Sequence, residues 1–113
     1  MRLHSIALAV LLAGSVTMTH AGTVADGLHA YNAGNYHLAL SIWRPLAENG
    51  DPEAQFYLAH VYQTGAGIDP CSAAALKWYY KAAAQGHLTA QYRMNMMMEM
   101  IEARYGRPAQ PKL

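Results

Sequence analysis

The sequence predicts an all-α domain of stacked helical hairpins, and three observations predict it. The first is repetition: Ala39, Leu40, Ala47, Gly50, Ala54 and Gln55 recur 36 residues later as Ala75, Leu76, Ala83, Gly86, Ala90 and Gln91. Aromatic positions keep the same step, Trp43 with Tyr79 and Phe56 with Tyr92. A fixed period between about 20 and 50 residues marks supersecondary units that bury their apolar faces on their neighbours. The second is punctuation, since Gly34, Asn49-Gly50, Gly65-Ala66-Gly67 and Gly86 separate segments of helical length. The third is that no segment between these turns reads as a strand.

The chain has 113 residues, enough for one domain. Its first 21 residues read differently from the rest. Met1, Arg2 and His4 precede an apolar run from Ile6 to Ala13, followed by small and polar residues up to Thr19-His20-Ala21. This is the order of a secretory signal peptide, with cleavage expected after Ala21. The apolar run is shorter than the roughly 20 residues that a membrane-spanning helix requires. Leu12-Ala13-Gly14 is followed by Ser15, not by the cysteine that would carry lipid in a bacterial lipoprotein signal. The expectation is a periplasmic or secreted protein of bacterial type, with no membrane anchor after cleavage.

Five helices are expected after residue 21. The first runs from about Thr23 to Ala33 and stops at Gly34. The second runs from Asn35 to Glu48, with Pro45 removing one hydrogen bond and bending the helix near Ser41. Asp51-Pro52 opens the third, Asp as N-cap and Pro in the first turn, where its missing N–H costs nothing. Gly65 and Gly67 end it after Thr64. Asp69-Pro70 repeats the start signal for a fourth helix that ends near Gln85. The fifth runs from Leu88 to Arg104, before Pro108 and Pro111. Small residues at Ala39, Ala54, Ala59, Ala75, Ala82, Ala83 and Ala90 mark close helix approaches. Leu40, Trp43, Leu46, Leu58, Tyr62, Leu76, Trp78 and Tyr79 fill the space between them.

The segment from Ala47 to Met97 resembles the Sel-one-like repeat family, a branch of the tetratricopeptide-like helical repeats. Gly50-Asp51, Ala54-Gln55, Leu58, Tyr62, Gly65-x-Gly67, Ala75, Trp78-Tyr79, Ala82-Ala83, Gly86, Ala90-Gln91 and Tyr92 carry the resemblance. Upstream, Gly27, Tyr31, Gly34, Tyr36 and Ala39-Leu40 resemble a tetratricopeptide-type hairpin. The resemblance implies a right-handed helical solenoid that serves as a scaffold for protein contacts. It divides the chain into a signal segment (1–21), a leading hairpin (22–49), one repeat (50–85), a partial second repeat (86–105) and a tail (106–113). The second unit lacks the Gly-x-Gly loop and a return helix, and Asn95 replaces the small Ala59. Cysteine-rich members of the family pair two cysteines in each repeat, whereas Cys71 here has no mate.

Composition narrows the function. Past residue 21 there are seven basic and seven acidic side chains, with no cluster of Lys or Arg to attract nucleic acid. Cys71 is the single thiol, so no internal disulfide forms, and burial is its expected state. His29, His37, His60 and His87 never fall four apart on one helix, so no local zinc pair exists. Ser41 and Ser72 lack a lysine three residues on, and no phosphate-binding glycine loop occurs. The chain therefore reads as non-catalytic, with no cofactor. The alternative is copper handling by the thioethers of Met94, Met96, Met97, Met98 and Met100, soft ligands suited to copper(I). Helical periodicity instead places Ala90, Met94, Met97, Met98, Ile101 and Tyr105 on one core stripe, the equivalent of Ala54, Leu58, Val61 and Tyr62.

The remaining candidate is a surface. The resemblance implies that the first helix of each hairpin lines a concave face. On the third helix this face offers Glu53, Phe56, His60 and Gln63, and on the fifth Thr89, Tyr92, Met96 and Glu99. Leu28 and Tyr31 are the nearest positions in the leading hairpin. Met100 follows Met96 by four residues on the same side. The expected partner-binding set is thus Leu28, Tyr31, Glu53, Phe56, His60, Tyr92, Met96 and Met100, for a protein or peptide partner. The competing expectation for Phe56 and Tyr92 is that they pack on each other between repeats. A fifth helix apolar around so much of its circumference is expected to form a homodimer or to dock on a partner. N-terminal sequencing of the exported form should begin near Gly22, and an intact Met1 chain in the cytoplasm would contradict the export expectation.

Overall fold

The structure is a computed structural model and describes residues 22–107. The expected signal segment and the tail from residue 108 lie outside those residues. Five helices follow in order: α1 (Val24–Asn32), α2 (Tyr36–Glu48), α3 (Pro52–Thr64), α4 (Ser72–Ala84) and α5 (Leu88–Tyr105). Each packs chiefly on the next in sequence. That is the pattern of a solenoid, in which neighbours supply the burial.

Side-chain caps start four of the five helices. Thr23 and Asp26 form a reciprocal capping box at α1, with bonds of 3.2 and 2.9 Å. The Asn35 Oδ1 accepts from the Leu38 N–H at 3.2 Å. The Asp51 Oδ1 accepts from the Glu53 and Ala54 N–H groups at 2.9 and 3.0 Å, with Pro52 in the first turn. The His87 Nδ1 accepts from the Ala90 N–H at 3.2 Å.

The fourth helix departs from the expected start. It begins at Ser72 rather than at Asp69-Pro70, with Cys71 as an N-cap that makes no side-chain cap bond. The reason lies in how α3 closes. Gly65 and Gly67 take φ of 78° and 74°, a conformation costly for other residues. The Cys71 N–H then donates to the Tyr62 carbonyl at 2.8 Å, so residues 65–71 fold back over the end of α3 before α4 can begin. Cys71 is exposed and not buried as expected, because it stands on this loop outside the helix–helix seam. α2 runs through Pro45 to Glu48, and the Pro45 carbonyl accepts from the Asn49 N–H at 3.0 Å.

The core forms two clusters in succession. The first joins Ala30, Ala39, Leu40, Trp43, Ala47, Ala54, Leu58 and Val61 from α1, α2 and α3. The second joins Ala59, Ala75, Tyr79, Ala82, Ala83, Ala90 and Met97 from α3, α4 and α5. Trp78 of α4 is half-buried and packs against both, as does Tyr62. Every alanine expected at a close approach is buried. Trp43 reaches α1, where its Nε1 donates to the Val24 carbonyl at 3.0 Å. Gly27 makes room for it, since a Cβ there would overlap the indole ring.

The α5 stripe is core for only part of its length. Ala90 and Met97 are buried and Met94 is half-buried, but Met98, Ile101 and Tyr105 are exposed. Leu58 and Val61 are covered by α1 and α2, with Tyr62, Ile68 of the loop and Trp78 of α4 packed against the same cluster. No helix follows α5 among the described residues.

One side-chain bond repeats with the period of the sequence. The Gln55 Nε2 donates to the Ala47 carbonyl at 3.0 Å, and the Gln91 Nε2 donates to the Ala83 carbonyl at 3.1 Å. The Gln55 Oε1 also accepts from the Gln85 Nε2 at 3.0 Å, so its amide is used at both ends. Gln55→Ala should therefore cost about 1–3 kcal/mol, the sum of two lost hydrogen bonds at roughly 0.5–1.5 kcal/mol each. Gln91→Ala, at a half-buried position, should cost less, and chemical denaturation of the two variants checks the order.

Candidate partner-binding surface

Aromatic rings run along the inner turns of the stack. Tyr31 of α1 lies 5.0 Å from Tyr36, 5.8 Å from Trp43 and 6.1 Å from His60, measured between ring centroids. Tyr57 stacks on Trp43 at 4.9 Å and 12°. Phe56 stacks on His87 at 4.8 Å and 15°, and its centroid is 5.7 Å from that of Tyr79. Offset-stacked and tilted pairs at such separations add roughly 0.5–1.5 kcal/mol each beyond area burial.

These contacts sort the expected binding set. Leu28 and Tyr31 are half-buried against the first core cluster, and Phe56 against the second. His60 is half-buried beside Tyr31. These four are chiefly packing residues with one open edge. Glu53, Tyr92, Met96 and Met100 are exposed, Tyr92 at 62%. Phe56 finds its stacking partner in His87, one residue before α5, rather than in Tyr92. The structure thus joins Tyr31 to His60 across α1 and α3. Tyr92, Met96 and Met100 form a separate exposed row along α5.

Sequence reasoning missed the role of His87, which caps α5 and stacks on Phe56 at once. It also missed Arg93, which occupies the position held by Tyr57 one repeat earlier. Burial, and then the Arg93 charge, hold the His60 imidazole below its ordinary 6.5. Burial pushes the Tyr79 hydroxyl up to about 12, with the Arg93 charge opposing. That hydroxyl stays protonated and donates to the Gln63 Oε1 at 2.8 Å. A third feature is a groove of about 720 Å³ between α4 and α5, lined by Ala73, Leu76, Lys77, Tyr80, Met94, Asn95 and Met98. Advancing Leu40, Leu58, Ala59 and Tyr62 by one period would have found its centre.

Among the described residues, no group of three His, Cys, Asp or Glu side chains is placed to hold a metal ion. No described helix is long and apolar enough to cross a membrane. What the chain presents is packed helices with apolar side chains left open on α5 and at the α4/α5 seam.

Sequential hairpins, alanine seams and a glutamine tie at each repeat define a tetratricopeptide-like helical repeat. The Sel1 repeat family model matches residues 52–87, from the first turn of α3 to the cap of α5. The match supports a Sel1-like repeat formed by α3, the loop after it and α4. No curated protein and no solved structure gives a significant match.

The lowered His60 value has a consequence for stability. The unfolded chain binds this proton more tightly than the folded one. The contribution of His60 is therefore present above pH 6.5 and is lost as pH falls towards the folded value. Melting followed by circular dichroism should show Tm falling from about pH 7 to about pH 5. His60→Gln should flatten part of that slope, and an unchanged slope would remove His60 as its source.

Proposed function

We propose that this chain is an exported, non-catalytic adaptor that holds a protein or peptide partner on the face carried by α3 and α5. The observation that carries this is the exposed row Tyr92, Met96 and Met100, spaced at four residues on one helix. Such spacing lays three apolar side chains along one side of a helix. Tyr supplies rigid contact area, and Met supplies adaptable apolar area. Glu53 stands exposed on α3, one repeat before Thr89.

The Sel1 match supports the class of activity, since these repeats generally serve as scaffolds for protein–protein contact and are typically non-catalytic. The inner rings support the geometry. Tyr31, His60, Phe56 and His87 lock α1, α3 and the start of α5 together, so the row on α5 is held on a rigid frame. Export rests on the Met1–Ala21 pattern, and it would place the adaptor in the periplasm or outside the cell.

Capture of partners from an envelope fraction, with the mature chain as bait, tests this function. Tyr92→Ala or Met96→Ala should weaken a captured partner by roughly 30-fold, the equivalent of about 2 kcal/mol at a hot spot. Circular dichroism should show unchanged helicity, because both side chains are exposed. Undiminished capture by both variants would move the binding site off this face.

A further inference from the structure

We propose that the face between α4 and α5 is a second docking site, which receives one amphipathic α-helix of a partner protein bearing an α4-like apolar stripe with acidic flanks. This rests on the adaptor function and names the partner's chemistry at a surface that shares Met100, but not Tyr92 or Met96, with the adaptor row.

The repeat itself shows what belongs there. Stepping back 36 residues from Leu76, Met94, Asn95 and Met98 gives Leu40, Leu58, Ala59 and Tyr62. In the inner turn these positions are covered: Leu58 and Ala59 are inaccessible, and Leu40 is 7% exposed. α4 covers Ala59 through Ala75, Tyr79 and Ala82, while Leu40 and Leu58 pack within the cluster of α1 to α3, against which Ile68 of the loop and Trp78 of α4 also lie. At the α4/α5 seam the same positions have no helix over them among the described residues, and Met98 is 37% exposed. The docking face therefore continues, one period on, an interface that α4 already fills inside the molecule.

The uncovered seam is more apolar than its inner copy. The remainder of the inner groove is lined by His37, Ser41, Arg44 and Pro45 beside Gly67 and Ile68. One period later His37 becomes Ala73 and Arg44 becomes Tyr80, while Ser41 becomes Lys77. A second groove of about 440 Å³ shares Ala73 and Leu76 and runs on past Met97, Met100 and Ile101 to Tyr105. From Met94 to Tyr105 the seam follows α5 for about 17 Å, close to the roughly 20 Å of a 13-residue helix such as α4.

α4 also specifies the stripe. Its buried Ala75, Tyr79 and Ala82 lie at i, i+4 and i+7, one aromatic between two small residues. Charge specifies the flanks. Lys77 lines the first groove and Arg104 the second, and no acidic side chain lines either. The nearby Glu102 carboxylate faces Arg107 at 3.8 Å. A second copy of this chain fits less well, because a two-fold contact sets the patch against itself, and neither groove has an acidic side chain to answer Lys77 and Arg104.

The probe is a labelled peptide of residues 69–86 of this chain carrying Cys71→Ser, Lys77→Glu and Lys81→Glu, titrated into the full chain. Saturable binding is expected, with NMR shifts centred on Leu76, Tyr80, Met94 and Met98. Met98→Glu or Tyr80→Glu in the protein, both at exposed positions, should weaken binding at least tenfold. The peptide that keeps both lysines should bind at least fivefold more weakly, and Lys77→Glu in the protein should reverse that preference. Tyr92→Ala/Met96→Ala should leave peptide binding unchanged, which separates this site from the adaptor face. Absence of binding at millimolar peptide, or indifference to both Met98→Glu and Tyr80→Glu, overturns the proposal while the capture experiment on Tyr92 still stands. A dimer in sedimentation that Met98→Glu disperses would give the face to a second copy. Binding that appears only after deletion of residues 108–113 would give it to the chain's own tail. Either result overturns the partner helix.

Discussion

A buried glutamine amide holds the stack in register. Gln55 is placed by the third turn-start signal of the chain, four residues past its N-cap, Asp51. From there it reaches back to the Ala47 carbonyl near the end of α2 and accepts from Gln85 at the end of α4. One side chain thus ties the ends of three helices. The Ala47 carbonyl also accepts from the Gly50 N–H at 3.0 Å, so the amide takes its second lone pair and adds a bond between helices to one made within the turn. Gln91 repeats the tie to Ala83. The alanines around these amides follow from the same constraint, since the amide reaches its carbonyl only if the helices approach closely.

Rings then decide what is rigid and what is free. Trp43, Tyr57, Tyr31 and His60 form one linked group, and Phe56, Tyr79 and His87 another. The first links α1, α2 and α3, and the second links α3 and α4 to the cap of α5. Few polar atoms are available to do this: among the described residues, no buried side-chain nitrogen or oxygen lacks a hydrogen-bond partner. Packing of rings over alanine seams, with a handful of amide ties, accounts for the order of the inner turns. α5 differs. It uses the same sequence positions with longer, more flexible thioethers, and its outer surfaces carry Tyr92, Met96, Met98 and Met100 in the open.

The repeat has two different boundaries. At the start, Trp43 fills the space above Gly27, and α1 shows solvent a largely polar side. At α5 the covering element of the inner turn has no counterpart among the described residues, and the seam it would fill is lined by Leu76, Tyr80, Met94 and Met98. Translation by 36 residues therefore carries Ala39, Ala47, Ala54 and Gln55 onto Ala75, Ala83, Ala90 and Gln91, but it turns the buried Ala59 into Asn95 and fails for burial itself. A residue's burial depends on what lies over it as much as on its own helix.

The sequence by itself determined the helices, their order and the alanine and aromatic positions of the inner core. Period, caps and glycine breaks act over a few residues and leave direct marks in the chain. It also made the Sel1 resemblance legible through Gly50, Ala54-Gln55, Gly65-x-Gly67 and Trp78-Tyr79. Only the tertiary structure decided that α4 starts after the loop has folded back on Tyr62, that Cys71 is exposed, and that His87 rather than Tyr92 stacks on Phe56. It also decided that Met98, Ile101 and Tyr105, core by periodicity, are surface. Periodicity tells which side of a helix is apolar. Whether that side is covered depends on the neighbours that the fold brings to it, and those are set by contacts across the stack.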